Sequence, residues 1–130
     1  MNYLMTKKDH LKKSIANLEE FIEDYKATPK KSIQSGVIYG FNLCFELSWQ
    51  ALKLYLEDQG FLILGGPKSI LKEAYAYNII DDEEVWLAIL DDIKLISYYY
   101  NEETANKIFL RIINDYLSVF KKLCIMLDEE

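Results

Sequence analysis

The sequence predicts an all-α protein, an up-and-down four-helix bundle with one short extra helix. Apolar residues recur at three- and four-residue steps along most of the chain, which is the spacing of amphipathic helices. Only 5 Gly and 2 Pro interrupt its 130 residues, and three of these glycines and one proline fall within residues 60–67. A sheet would need more turns. With 51% hydrophobic residues, we expect residues 1–130 to form a single domain.

The first two predicted helices are long. The first has about 23 residues and ends near Thr28 and Pro29. Its apolar positions are Leu11, Ile15, Leu18, Phe21, Ile22 and Tyr25. The second spans residues 31–59 and is apolar almost all round in its middle, which predicts packing on both faces. We therefore expect a homodimer to which the second helix contributes.

Helix-start signals predict the remaining elements. Pro67 suits the first turn of a short helix that ends near Tyr77. Asp81 and Glu84 form a possible capping box at the start of the next helix, and Asn101 is the expected N-cap of the last one. That last helix is predicted to continue to the C-terminus with its apolar residues in one unbroken stripe.

Composition argues against several classes of protein. No uncharged apolar stretch approaches the roughly 18 residues of a membrane span, so no membrane contact and a cytoplasmic location are expected. The formal net charge of −6 disfavours nonspecific nucleic-acid binding, although the lysines could still contact RNA or nucleotide phosphate. Cys44 and Cys124 are isolated in apolar surroundings, which predicts buried free thiols.

The chain lacks the residues that a catalytic bundle requires. His10 is the only histidine and has no glutamate three positions before it, which excludes the paired E-x-x-H units of a di-iron site. The cysteines lack paired metal ligands. No Gly-Ser dipeptide and no D-x-D occurs, so the chain does not carry the metal-binding signature of a nucleotidyltransferase. We predict no metal and no cofactor.

Three stretches resemble a known family: "FELSWQALKLYLEDQGF", "GGPKSILKEAYAYNIIDDEEVWLAILDD" and "SYYYNEETANKIFLRI". Together they are similar to the nucleotidyltransferase substrate-binding protein family, over residues 10–127. The resemblance implies a bundle related to HEPN domains and a partner, a minimal nucleotidyltransferase encoded nearby. It also yields candidates for a partner or substrate groove, for which core packing or solvation remain open alternatives. These candidates are Glu46, Trp49, Trp86, Asp91, Asp92, Tyr98 and Tyr99.

The same resemblance implies a degenerate active site. Many HEPN relatives carry an R-x-x-x-x-H ribonuclease motif, in which the arginine steadies the phosphate charge and the histidine moves a proton. Here Ile93 and Tyr98 occupy those two positions, and the only arginine, Arg111, is predicted in another helix. The tyrosine that often follows the motif survives as Tyr100. In toxin–antitoxin pairs the matching tyrosine accepts AMP, so Tyr100 is a possible AMP acceptor. We expect Tyr100 to be exposed and Tyr98 to be partly packed.

Three functional hypotheses follow. The favoured one is a noncatalytic subunit that dimerises, binds a separately encoded minimal nucleotidyltransferase and forms part of its substrate-binding site. The second is a HEPN-like, ribonuclease-type toxin of a toxin–antitoxin pair, with a degenerate site and AMP acceptance at Tyr100. The third is a free-standing bundle that binds a small molecule in an apolar groove.

Overall fold

The computed structural model describes residues 2–129 and confirms the all-α fold, with no strand among them. The short helix lies between the second and third long helices, as the sequence predicts. In chain order the elements are α1 (Tyr3–Ala27), α2 (Lys31–Asp58), α3 (Pro67–Ala76), α4 (Glu83–Tyr98), α5 (Glu102–Arg111), a π-helical segment (Ile112–Tyr116) and α6 (Leu117–Glu129).

Helices α1 and α2 pack closely because glycines face α1 at two successive turns of α2. A Cβ atom at Gly36 would lie 2.9 Å from Cε1 of Phe21, and one at Gly40 would lie 3.4 Å from Cδ1 of Leu18. Below this contact, the rings of Phe41, Tyr116 and Phe120 join α2 to the last helix. The α1–α2 pair thus forms one side of the core, and the C-terminal part of the chain packs against it.

Two helix starts near the candidate site are fixed by side-chain caps. Asn101 accepts a hydrogen bond from the Thr104 backbone N–H at 2.9 Å, which confirms the expected start of α5. At α4 the prediction was wrong by one residue, because Asp82 rather than Asp81 accepts from the Val85 N–H. Asp81 instead forms an ion pair with Lys122 of α6. Its carboxylate therefore joins the turn before α4 to α6 instead of capping α4.

The last helix is not the uninterrupted α-helix that its sequence pattern predicts. Its middle is π-helical from Ile112 to Tyr116, and the Leu117 backbone N–H donates to the carbonyl of Ile112, five residues earlier. The wider turn admits one extra residue. The side chains before and after it therefore keep their places against the core.

The two cysteines are free, as predicted, but they are buried to different degrees. Cys44 is fully buried beside Ser14, with 3.4 Å between Sγ and Oγ, whereas Cys124 is only partly buried. Burial raises the pKa of the Cys44 thiol to about 11. Among the described helices, none is both long and apolar enough to cross a membrane.

Candidate functional site

The three consecutive tyrosines form an exposed surface at the junction of α4 and α5. Tyr98 is 78% exposed, Tyr99 70% and Tyr100 56%. Tyr98 ends α4, and the other two lie in the short connection that Asn101 closes by capping α5. We call residues 98–100 the tyrosine segment. Its three phenol rings lie in solvent, where a partner protein could reach them.

The residues at the two degenerate motif positions, Ile93 and Tyr98, differ in burial. Ile93 is 8% exposed and packs in the core, whereas Tyr98 is the most exposed of the three tyrosines. The prediction that Tyr98 is partly packed in a former active-site groove was therefore wrong. The physical reason is its position in the last residue of α4, beyond the point where the helix contacts the core. Tyr100 is exposed as predicted.

Directly before Ile93 on α4, the two neighbouring aspartates have opposite environments. Asp91 is exposed, whereas Asp92 is buried. Arg111 of α5 donates to Asp92 through Nε at 2.8 Å and Nη2 at 2.7 Å, and Tyr116 donates its phenolic O–H to Oδ2 at 2.6 Å. We call Asp92, Arg111 and Tyr116 the aspartate clamp. It fastens α4 to the last helix directly beside Ile93.

The π-helical segment explains how two residues of one helix reach the same carboxylate. Arg111 and Tyr116 are five residues apart, and in an α-helix that separation turns the side chains about 140° away from each other. The π-helical hydrogen bond from Leu117 to Ile112 widens this turn and reduces the angle. Both donors therefore meet Asp92. Such segments are frequent at functional sites.

The clamp also fixes the protonation states of its two donors. Hydrogen bonding to Asp92 raises the pKa of Arg111 above its ordinary value, so its guanidinium stays charged. Burial, and then the hydrogen bond to Asp92, raise the pKa of Tyr116, so its phenol stays neutral. Tyr116 therefore cannot act as a general base at neutral pH.

Sequence reasoning did not identify the aspartate clamp. The sequence indicates Asp92 as a groove candidate and excludes Arg111 from the ribonuclease motif, because it is predicted in another helix. The separations of 19 and 24 residues from Asp92 give no local pattern. One signal in the sequence could have indicated the clamp. Asp92 lies on the apolar face of α4, and a carboxylate that is buried there requires hydrogen-bond donors from another helix.

The other groove candidates separate into two places. On α2, Trp49 donates its indole N–H to Glu46 at 3.0 Å, and both side chains are half-buried, so Glu46 is paired within its own helix. Trp86 of α4 is buried and packs edge-on against Phe120. Within residues 2–129, no side-chain hydrogen bond joins the Glu46–Trp49 pair to Asp91 or the tyrosine segment. The Glu46–Trp49 pair is therefore not part of a hydrogen-bonded network with Asp91 or the tyrosine segment among these residues.

A groove does lie beside the start of α4. Its volume is about 650 Å³, it is open to solvent on one side, and it runs between the chain around Ile80 and helix α6. Trp86 contributes to its lining and the Asp81–Lys122 ion pair crosses its rim. Across the described residues, no cluster of three or more His, Cys, Asp or Glu side chains could hold a metal ion.

Comparison with known families gives a match over nearly the whole chain. The family described as "Nucleotidyltransferase substrate binding protein like" matches residues 6–129. The chain belongs to this family. Among curated proteins, the probable ribonuclease HepT of Haemophilus influenzae is 30% identical over 87 residues. That match covers 64% of this chain and 59% of the HepT protein, so the chain matches under two thirds of its relative's length.

Two solved structures are similar to this member of the nucleotidyltransferase substrate-binding family. A protein of Thermus thermophilus is 27% identical, with a TM-score of 0.72 over 90% of this chain and 94% of the other. A tri-AMPylated HEPN toxin of Shewanella oneidensis, solved in complex with an MNT antitoxin, has a TM-score of 0.82 with both chains fully covered. Its identity is 16%, so this second likeness establishes the fold alone.

Proposed function

We propose that the chain is a noncatalytic subunit that dimerises, binds a separately encoded minimal nucleotidyltransferase and forms part of its substrate-binding site. The observation that carries the proposal is the state of the motif positions in a member of this family. Ile93 is an apolar core residue and Tyr98 is an exposed phenol, so neither supplies the cation or the base of HEPN ribonuclease chemistry. What remains accessible at this end of the bundle is a surface, the tyrosine segment.

The proposal is tested by expressing the chain with a nucleotidyltransferase encoded beside it, one that carries the Gly-Ser and D-x-D signature absent here. We expect a complex that survives gel filtration and contains two copies of this chain by sedimentation. Two separate peaks at micromolar concentration would exclude a stable complex. A monomer of 15.3 kDa in the absence of the enzyme would argue against dimerisation.

A second candidate function is AMP acceptance at Tyr100, as part of a toxin–antitoxin pair. It is supported by the exposure of the phenol and by the relative solved as a tri-AMPylated HEPN toxin. In the step, the Tyr100 hydroxyl oxygen attacks the α-phosphorus of ATP. A phosphodiester bond forms, the α–β phosphoanhydride bond breaks, pyrophosphate leaves with magnesium, and the phenolic proton passes to solvent.

Mass spectrometry after incubation with the enzyme, ATP and magnesium tests this candidate. The matched variants are Tyr98→Phe, Tyr99→Phe and Tyr100→Phe, each of which removes one exposed hydroxyl from the same segment. An AMP adduct that only Tyr100→Phe abolishes supports the second candidate. A stable complex without any adduct leaves the binding subunit of the first proposal.

The third hypothesis, a free-standing small-molecule binder, would use the groove beside α4. Its volume of about 650 Å³ falls within the usual range for ligand sites. However, its open side and the ion pair across its rim leave a ligand incompletely enclosed. The subunit proposal is therefore preferred, since it uses the exposed segment that the family resemblance singles out.

A further inference from the structure

The connection between α2 and α3 contains a segment with the pattern of a β-strand. Residues 61–64 lie outside the helices, with Ile63 buried at 7% exposure and its neighbours Leu62 and Leu64 exposed at 83% and 79%. These two leucines are the most exposed of the large apolar side chains in residues 2–129. Alternation with period two is the signature of a strand that has one face on a core. We call residues 61–64 the leucine segment.

The backbone of this segment is unpaired. The Phe61 N–H donates to the carbonyl of Leu56 at 3.0 Å. Beyond it, the N–H and C=O groups of Leu62, Ile63 and Leu64 make no hydrogen bond to any part of the chain that the structure describes. A row of free donors and acceptors, combined with the alternating burial of the side chains, resembles the edge of a sheet, which readily accepts another strand.

Positive charge lies next to this edge. Lys68 and Lys72 are exposed on α3, one turn apart, and neither forms an ion pair among the described residues. Lys72 and Glu73 also line a shallow groove of about 340 Å³ with the leucine segment and Tyr77. The two lysines without an ion pair favour a partner that carries carboxylates beside its strand.

We infer that the leucine segment is a docking edge for an extended strand of the partner nucleotidyltransferase. This inference rests on the proposed function and names the surface through which the complex forms. The partner strand pairs with the backbone of residues 62–64, its apolar side chains cover Leu62 and Leu64, and its carboxylates face Lys68 and Lys72. Such strand addition takes its affinity from main-chain hydrogen bonds and its specificity from alternate side chains. A second copy of this chain fits less well, because it would bring another lysine pair to the same short edge.

The test measures binding of the neighbouring nucleotidyltransferase by calorimetry, with the full-length chain and two doubly substituted variants. Leu62→Glu/Leu64→Glu removes the apolar side chains of the proposed edge and places carboxylates against those of the partner strand. The matched control, Met5→Glu/Ile125→Glu, adds the same charge at exposed apolar residues of α1 and α6. Circular dichroism checks that both variants stay folded. We expect at least about tenfold weaker binding for the first variant and unchanged binding for the control.

Hydrogen exchange gives a readout that apolar contact alone would not produce. On complex formation the amides of residues 62–64 should exchange at least about tenfold more slowly. Three results would overturn the inference and leave the proposed function standing. The edge variant could bind the enzyme as tightly as the wild type, the control could lose as much affinity as the edge variant, or the amides of residues 62–64 could remain unprotected. Failure of the wild-type chain to bind the enzyme would overturn both.

Discussion

Arg111 donates two parallel hydrogen bonds to Asp92, from a half-exposed guanidinium on α5 to a carboxylate buried on α4. The side chain of Arg111 is 40% exposed and that of Asp92 is 6% exposed. The carboxylate therefore has little access to bulk water, and its hydrogen bonds come from Arg111 and Tyr116. Loss of the arginine would leave Asp92 with a single donor.

Replacing Arg111 by methionine should destabilise the fold by about 2–3 kcal/mol, somewhat less than for a fully buried ion pair, because the guanidinium is half in water. Urea denaturation measures the change. The control is Lys107→Met, which removes an equal charge from an exposed pair with Glu103 and should cost less than about 0.5 kcal/mol. Recovery of stability in Asp92→Asn/Arg111→Met would confirm the unpaired carboxylate as the cause. Equal stability of Arg111→Met and wild type would contradict the clamp.

The π-helical segment predicts that one deletion in the middle of a helix is tolerated. Removing the exposed Asn114 converts the wide turn into an α-helical one, and Arg111 and Tyr116 become four residues apart, still on one face. We expect a folded variant whose free energy of unfolding changes by about 1 kcal/mol or less, within the ordinary range for single changes.

Deleting Lys121 from the regular part of α6 is the control for Asn114. It would rotate the following turns by about 100°, moving Leu123 and Leu127 out of the core, and should unfold that end of the helix. Circular dichroism and thermal unfolding compare the two deletions. If removal of Asn114 were the more damaging one, the extra-residue interpretation of the π-helical segment would be wrong.

The Cys44 thiol should make stability sensitive to alkaline pH. Its pKa is about 11 in the folded chain, against 9.0 for an unburied cysteine, so the folded state holds its proton more strongly. The contribution of this thiol to the free energy of unfolding is fully present below pH 9 and is lost as pH rises toward 11. The loss is about 1 kcal/mol at pH 10. Comparing urea curves at pH 8 and pH 10 should show a smaller fall for Cys44→Ala. Tyr116 adds to the loss only above pH 10, its own ordinary range. Parallel curves for both proteins would rule out the thiol as the source.

The purified chain should cleave no RNA. Ile93 cannot bind phosphate, and an exposed phenol, Tyr98, stands where the ribonuclease motif has its histidine. Incubation with a labelled single-stranded RNA, beside a relative that retains the arginine and histidine, checks this. Cleavage that disappears in Tyr98→Phe would show that a different constellation is active.

The all-α fold and its helix order could be predicted because each helix carries its own apolar period and its own start or stop signal. Asn101, for example, predicts the start of α5 because it is an N-cap residue whose hydrogen-bond donor, Thr104, is only three residues later. The aspartate clamp could not be predicted in this way. It depends on the register between α4 and the last helix, and that register depends on a π-helical turn that the apolar stripe does not reveal. The exposure of Tyr98 was missed for a related reason, since periodicity does not indicate where a helix extends past the core.

Arg111 is the chain's single arginine, and its Nε and Nη2 groups both donate to Asp92. This arrangement limits how the protein could bind a polyanion. Every other cationic side chain at neutral pH is a lysine, a point charge without the two-pronged geometry that recognises a phosphate group. Contacts that lysines make to phosphate groups are electrostatic and indifferent to base sequence, and they weaken steeply as salt rises. Recognition of a phosphate group by this chain would therefore have to use lysines or backbone N–H groups instead of a guanidinium.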